Sequence, residues 1–449
     1  MKVVNIGTGY VGLNTAAALA WIGHDVACVD IDESKINSLK NGVAPIREEG
    51  LDDLIKNTKI KFTTDLVEVI NDAEVIFIAV GTPSLPNGHA NLDYVHSAAN
   101  SIGNLINPTH DVTIIVKSTV PIGVNSSIED SIRNQVKLNN LNDSLLHFAS
   151  NPEFLREGCA LSDTLYPDRI VIGTNDNTAF EMMSKLYAPL VDQTFTIPDS
   201  VQPPKDRPKT YILHTNQTSA EMIKYSSNVF LALKISYINE ISSLCDKLGA
   251  NVDDVAKGMG LDHRIAPYFL NSGLGWGGSC FPKDTLALLQ IAKDQQCDTP
   301  IIQAAWYVNE AQIDKVINKL KYEFYDLHGL NVTLFGLTFK PNTDDVRNSP
   351  AVALAKRLIE LGVHVTFTDP VGLPNARKVY ADEQFKFEDD PIKASLDSDC
   401  IILTTEWKQF KSLDYKAISN NMRHKFMIDA RHYLNSEYIN DVGIKYIKL

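Results

Sequence analysis

The chain has 449 residues, 44% of them hydrophobic and 22% charged, with a formal net charge of −13. That length exceeds one ordinary domain and carries enough apolar material for two or three cores. The acidic balance excludes a general nucleic-acid binder, which needs a basic surface, while leaving room for a local basic pocket that seats one anionic ligand.

Taken in chain order, Val3–Ile6, Asp25–Asp30, Val75–Val80, Thr113–Lys117 and His147–Ser150 are short apolar runs that predict buried parallel strands. Asn14–Ile22 and Leu92–Leu105 carry helical spacing between them. This alternation predicts βαβ units in a doubly wound sheet, with ligands at the carboxyl ends of the strands. Residues 198–217 break the rhythm: Pro198, Pro203, Pro204 and Pro208 predict an exposed excursion or linker. A long helix is expected over Ser219–Leu248, then three more helical segments to about Leu320. A second α/β rhythm starts at Asn331, with strands at Val363–Asp369, Cys400–Thr405 and Lys425–Asp429 and a helix at Ala351–Leu361. The expected divisions are 1–215, 216–320 and 321–449: an α/β domain, a helical connector and a second α/β domain, with the active site in the cleft between the sheets.

Gly7-Thr8-Gly9-Tyr10-Val11-Gly12 is a G-x-G-x-x-G that follows a predicted strand and opens a predicted helix, with Asp30 ending the next strand. Gly7 permits the tight turn, Gly9 lets the backbone approach a pyrophosphate, and Gly12 allows close helix–strand packing. The helix N-terminus offers N–H groups to phosphates. Asp30 accepts from both ribose hydroxyls and repels a 2′-phosphate, which favours NAD over NADP. Ala79-Val80-Gly81-Thr82-Pro83 and Lys117-Ser118-Thr119-Val120-Pro121 each end a strand on the same edge; they suit cofactor contacts or serve as ordinary turns.

The most informative segment is Gly273-Leu-Gly275-Trp276-Gly277-Gly278-Ser-Cys280-Phe-Pro282-Lys283-Asp284. So many glycines support neither helix nor strand, so the backbone is there for close approach. Pro282 stands where a helix would start. A cysteine at a helix N-terminus, three residues before a lysine, has two reasons for a lowered pKa and reads as a thiolate nucleophile. The other cysteines, Cys28, Cys159, Cys245, Cys297 and Cys400, include no C-x-x-C pair, and the 11 histidines make no metal-ligand spacing with them. No metal is expected. Reduced thiols, a start directly on a strand pattern and no apolar run near ~20 residues predict a cytoplasmic protein with no membrane span.

Three further constellations stand out. Lys224 and Asn228 are i and i+4 on the long predicted helix, on one face, though a lone exposed lysine reads the same way. Asn151-Pro-Glu153-Phe154-Leu155-Arg156-Glu157-Gly158 follows a strand at the ligand edge; its carboxylates serve as base and cofactor contact, or pair with Arg156. Phe339-Lys340-Pro-Asn-Thr-Asp-Asp345-Val-Arg347 follows the first strand of the second sheet, which lacks a G-x-G-x-x-G and so is expected to take a smaller phosphate-containing ligand.

Together these segments closely resemble the UDP-glucose 6-dehydrogenase family of nucleotide-sugar dehydrogenases, over essentially the whole chain and in the family's order: the N-terminal fingerprint, NPEFLREG at 151–158, AEMIKYSSN at 220–228, GWGGSCFPKD at 275–284 and FKPNTDDVR at 339–347. The resemblance implies two Rossmann-like doubly wound parallel-sheet domains joined by a long central helix and a small all-α domain, and a homodimer or higher homo-oligomer built on the helical region. It implies oxidation of UDP-glucose to UDP-glucuronate with two NAD, through a thiohemiacetal and thioester on Cys280. By the same likeness Lys224 and Asn228 stabilise oxyanions, Glu153 is the base in thioester hydrolysis, and Asp284 and Thr119 hold the water that takes the alcohol proton. Cofactor contacts fall on Gly7, Thr8, Gly9, Tyr10, Val11, Gly12, Asp30, Lys35, Thr82, Thr119, Glu157, Lys283 and Arg347. Substrate contacts fall on Glu153, Phe154, Leu155, Arg156, Glu157, Lys224, Asn228, Phe269, Leu270, Asn271, Ser272, Gly273, Gly277 and Lys340, and on Arg264 reaching a neighbouring subunit.

Two departures from the pattern are the long proline-rich 198–217 segment and Trp276, where Tyr or Phe is usual; the second bears on sugar packing. Covalent capture keeps an aldehyde from escaping between two oxidations, so the cysteine separates this reading from a single-step hydroxyacid dehydrogenase. A sibling acting on GDP-mannose or a UDP-N-acetylhexosamine would share the same motifs, and a non-catalytic NAD-binding redox sensor would share the glycine fingerprint and a reactive thiol.

Overall fold

A computed structural model describes residues 1–205 and 209–449. Pro208, part of the predicted excursion, lies outside the described residues. The chain divides into two compact units, Met1–Ser226 and Ser227–Leu449.

The first unit holds an eight-stranded sheet of β1 (Lys2–Ile6), β2 (Asp25–Val29), β3 (Ile60–Thr63), β4 (Val75–Ile78), β5 (Val112–Val116), β6 (Leu146–Ser150), β7 (Arg169–Gly173) and β8 (Tyr211–Thr215), in the order β3-β2-β1-β4-β5-β6-β7-β8. Every residue of β4 and β5 is buried, the pattern of strands covered on both faces. The parallel pairs need crossovers, supplied by helices such as Tyr10–Trp21, Asp93–Leu105 and Val124–Leu138. The strand order reverses between β1 and β4, and that switch point opens a crevice at the carboxyl ends of the strands.

The predicted strands of this sheet pair parallel to one another, while β6 meets the further strand β7 antiparallel, at Ser150 and Gly173. One expectation is corrected: residues 198–217 are not simply an exposed linker. Tyr211–Thr215 forms β8 against β7, and Val201 is buried. A side chain on Gly50, which has φ +79°, would fall 2.9 Å from the Ser200 hydroxyl, so Ser200 and Val201 pack back on the unit.

The boundary between the units falls inside the helix Gln217–Leu248. The second unit continues through Val252–Gly260, Phe281–Asp294 and Pro300–Phe324, then a parallel sheet of β9 (Asn331–Phe335), β10 (His364–Thr368), β11 (Lys386–Phe387), β12 (Cys400–Leu403), β13 (Phe426–Asp429) and β14 (Lys445–Lys448). Its order, β11-β10-β9-β12-β13-β14, repeats that of the first six strands of the other sheet.

The repetition extends to the first turn. Gly336 follows β9 with φ +105°, as Gly7 follows β1 with φ +103°. Asp369 follows β10 as Asp30 follows β2. Their surroundings differ. Asp369 is 4% exposed and accepts the Leu337 and Thr338 N–H groups, the Trp407 indole N–H, and the Val371 and Gly372 N–H groups. A carboxylate has about four acceptor sites, so Asp369 has none left for a ribose. The second sheet keeps the dinucleotide frame but is closed at the ribose corner.

Candidate active site

The first unit carries a nucleotide-shaped edge. A side chain on Gly7 would fall 2.5 Å from the Ala79 carbonyl oxygen, and one on Gly12 2.1 Å from that of Gly7. Both glycines are required by packing. Gly9 is different: a Cβ there would meet nothing within 4 Å, so the space above it is open. The helix Tyr10–Trp21 starts at Gly9 with no side-chain cap and no acidic residue in its first turn, which favours an anion. Asp30 accepts from the Thr8 N–H (2.8 Å), the Thr8 hydroxyl (2.7 Å) and, on its other oxygen, the Asp32 N–H (3.1 Å). It is half-buried and retains acceptor capacity for ribose hydroxyls. These residues fit a dinucleotide. Beside them Thr82 donates to the Thr119 carbonyl (2.8 Å), tying the ends of the β4 and β5 turns together. Lys35 lies in the next helix, half-buried, with its ammonium 3.9 Å from Asp32.

At the ends of β5 and β6 lies a buried charged cluster. Glu153 and Lys224, 7% and 3% exposed, form an ion pair of 2.7 Å; the other Glu153 oxygen accepts the Leu155 N–H (2.7 Å). The glutamates of this segment therefore do not gather round Arg156. Its guanidinium takes Asp163 through two bonds (2.9 and 2.7 Å) at the surface. Phe154 stacks under Arg169, 3.8 Å from the ring centre. Glu157 is half-buried, and the next residue, Gly158, donates to Glu48 (2.9 Å). Glu221, one turn before Lys224, accepts from Gly123 N–H (2.6 Å) and from the Asn125 backbone and side chain (3.0 and 2.6 Å). It thereby caps the helix Val124–Leu138 and fixes the start of the long helix on the first unit. Burial raises the Glu221 carboxyl above its ordinary range, against those bonds.

The second unit builds the nucleophile loop. Each glycine there meets a different wall. A side chain would fall 2.6 Å from the Ala430 carbonyl at Gly273, 2.5 Å from the Asn309 side-chain oxygen at Gly275, 2.2 Å from the Asn348 carbonyl at Gly277 and 2.7 Å from the Phe339 ring at Gly278. Gly273 N–H donates to Asn239 (2.7 Å) and Leu274 N–H to Ala430 (3.0 Å). The loop is thus seated against the carboxyl ends of β9 and β13. Trp276 is 4% exposed, donates its indole N–H to Ser236 (2.9 Å) and packs edge-on to Trp306. The expectation that it packs a sugar is corrected: it is an internal anchor of the loop.

Cys280 is the N-cap of the helix Phe281–Asp294, with Pro282 in its first turn. One turn on, Asp284 is 1% exposed and accepts from Asn228 (2.6 Å) and Lys283 (2.5 Å). The expectation that Lys283 lends its charge to the thiol is corrected in part, since that ammonium is shared with the Asp284 carboxylate. Ahead of the loop, Phe269 has φ +63°, a strained value for a bulky side chain. Leu270 and Ser272 are buried, and Asn271 is exposed. Arg264 is exposed and forks onto Asp262; Arg347 is exposed and forks onto Asp345. Lys340 lies 5.5 Å from the Phe339 ring centre. The first unit holds Thr119, Glu153 and Lys224, and the second holds Asn228, Cys280 and Asp284.

Lys117, Asn151 and Tyr187, to which no sequence pattern assigns an individual role, complete the buried cluster of the first unit. Lys117 was visible as a lone lysine directly after five consecutive apolar or β-branched residues. No pattern pointed to Asn239, Asn309 and Asn348, whose contacts with the loop are long-range.

Residues 1–191 match the NAD binding domain of the UDP-glucose/GDP-mannose dehydrogenase family, residues 218–311 its central domain and residues 333–436 its UDP binding domain. The chain is 41% identical to a UDP-glucose 6-dehydrogenase of Rhizobium meliloti, covering 100% of this chain and 99% of that one. It is 40% identical to one of Rickettsia bellii, covering 99% and 98%. The solved structure of a UDP-glucose dehydrogenase from Pyrobaculum islandicum superposes with a TM-score of 0.87 at 34% identity, covering 99% of this chain and 96% of that one. No helix among the described residues is long and apolar enough to cross a membrane. The chain is an NAD-dependent oxidoreductase and belongs to the UDP-glucose/GDP-mannose dehydrogenase family.

Proposed function

We propose that the chain is a UDP-glucose 6-dehydrogenase, oxidising the C6 alcohol of UDP-glucose to a carboxylate through a thioester on Cys280. The observation that carries the reading is full-length identity of about 40% to proteins of that name, joined to a cysteine capping a helix beside a glycine-clamped loop. NAD would be held by Gly7 to Gly12, Asp30, Lys35, Thr82, Thr119, Glu157, Lys283 and Arg347, and would supply the hydride acceptor for each of two oxidations.

The chain's own residues do the rest. Asp284 and Thr119 hold the water that takes the alcohol proton. The Cys280 thiolate adds to the resulting aldehyde carbon, and the thiohemiacetal oxygen is steadied by the Lys224 and Asn228 donors. Loss of a second hydride from that carbon leaves the thioester. Glu153 draws a proton from water as it attacks; the carbon–sulfur bond breaks, the thiolate is restored and the carboxylate leaves. Phe154 to Glu157, Phe269 to Gly273, Gly277, Lys340 and a partner's Arg264 seat the nucleotide sugar. In this reading residues 1–215 bind NAD, 216–320 carry the nucleophile and the homodimer contact, and 321–449 bind the UDP moiety. A reducing cytoplasm suits a thiol that must stay free.

The test is the NADH yield per mole of UDP-glucose, GDP-mannose and UDP-N-acetylglucosamine, for wild type and Cys280→Ser. Two NADH per UDP-glucose are expected, and turnover at least ~10³-fold slower in the variant, as for loss of a nucleophile. Undiminished two-NADH turnover from Cys280→Ser would sink the covalent mechanism, and preference for another sugar would redirect the substrate.

A further inference from the structure

Lys117 directly follows β5, at the edge where the first unit binds its ligand. Its side chain is 8% exposed, and its ammonium donates to the Asn151 side-chain oxygen (2.9 Å). That acceptor is neutral and fixed: Asn151 also receives the Tyr187 hydroxyl (2.6 Å) and gives its amide N–H to the Val171 carbonyl (2.7 Å). The charged groups that act on Lys117 are the Glu153 carboxylate, which favours its charge, and the Lys224 ammonium, which opposes it. Tyr187 is held neutral, since burial pushes its phenol upward, and Arg169 lies beyond, on the Phe154 ring. The cluster therefore contains two ammonium groups for one carboxylate.

Stability does not call for this. A buried cation with one neutral acceptor is a net cost that an apolar side chain of like volume would remove. Perturbed charges retained at a ligand edge point to function. In the proposed reaction, Lys224 has two demands on it. It pairs with Glu153 at rest, yet it is also the donor to the reacting oxygen. Once drawn away, it would leave the buried Glu153 carboxylate with the Leu155 N–H alone, and a buried charge without a counter-charge is costly to keep.

We propose that Lys117 is a positioning residue for this reaction, a second buried cation that serves as counter-charge to Glu153 when Lys224 turns to the reacting oxygen. The inference rests on the dehydrogenase reading above. Burial pulls the Lys117 ammonium down to about 8, which leaves it charged through neutral pH, where this service is needed.

Two measurements on the full chain test it. The first is the pH profile of kcat and of KM for UDP-glucose in wild type, Lys117→Met and Lys117→Arg. The expected result is an acidic limb of kcat moved up by about one pH unit in Lys117→Met, as for loss of one nearby charge. KM should stay within about twofold, and Lys117→Arg, which keeps the charge, should keep the wild-type limb. Superimposable profiles for all three, or an equal loss in both variants with unmoved limbs, overturn the proposal. The second needs no substrate: NMR titration of lysine-labelled protein, with Lys117 identified by the signal lost in Lys117→Arg. That signal should titrate near pH 8, and at lower pH in Glu153→Gln; a titration unmoved by Glu153→Gln overturns the coupling. A wild type that leaves UDP-glucose untouched would remove the dehydrogenase reading, while the second measurement still decides the coupling.

Discussion

Lys117, Glu153 and Lys224 are each less than a tenth exposed, so water screens their charges only weakly. The sign of the effect on stability follows from which state holds the Lys117 proton more tightly. Burial lowers its value from 10.5 to about 8 in the folded chain, so the unfolded chain binds the proton more tightly. The group therefore opposes folding below about pH 8, and its penalty fades as pH rises toward 10.5. Lys117→Met should be more stable than wild type by about 3 kcal/mol at pH 7, since each tenfold change in proton affinity is worth roughly 1.4 kcal/mol. The difference should shrink toward zero by about pH 10.5. Urea denaturation of both proteins across that range measures it. A variant no more stable than wild type at pH 7 would show that water or a counter-charge already relieves the buried ammonium. Asp284 is the contrasting case, for its two donors, Asn228 and Lys283, include the cation that neutralises it.

Elements of this chain separate glycines that serve packing from those that serve a ligand. Gly277 and Gly9 belong to loops that each open a helix, yet a methyl group meets the Asn348 carbonyl at 2.2 Å in the first and nothing in the second. Gly277→Ala should lower the thermal midpoint, by the 1–3 kcal/mol or more of an overpacked site, and cut kcat about 10²-fold through the displaced Cys280 loop. Gly9→Ala should melt like wild type, since φ −78° suits alanine, but raise KM for NAD about tenfold or more by filling the pyrophosphate's place. A Gly9→Ala enzyme with unchanged KM for NAD would move the cofactor away from this turn. The same contrast explains what the amino-acid pattern made legible. β1, β2, β4, β5 and β6 are readable because most of their side chains are apolar and buried. β8 was not: it is an edge strand with Tyr211 66% exposed, set inside a proline-rich stretch. The motifs located Cys280, Glu153 and Lys224. They did not reveal that Trp276 is an internal anchor or that Lys283 pairs with Asp284, because those outcomes depend on Ser236, Trp306 and side-chain choices that no local spacing encodes.

At the scale of the whole molecule, the long helix Gln217–Leu248 leaves a large apolar surface on the second unit unaccounted for by a single chain. Phe230, Tyr237, Leu244 and Leu248 are 60%, 48%, 53% and 72% exposed. Their spacing of seven, seven and four residues places them on one stripe of the helix. Contiguous apolar stripes of this kind mark contact surfaces, and a heptad spacing suits another helix laid alongside. A second copy of this chain presents the same stripe and so answers it through an isologous contact, which supports the proposed homodimer. The paired substitutions Tyr237→Glu and Leu244→Lys, one on each of two separately purified variants, decide between a self-interface and a site for another protein. Each variant alone should sediment as a monomer, since a two-fold contact that sets residue 237 against residue 244 of the other copy would bury an unpaired charge against an apolar side chain, and secondary structure should be unchanged because both positions are already half in water. Mixed together they should recover a heterodimer, as opposite charges then face each other. If wild type is a monomer at micromolar concentration, or if both variants remain dimeric, the stripe is not where the chain meets its own copy.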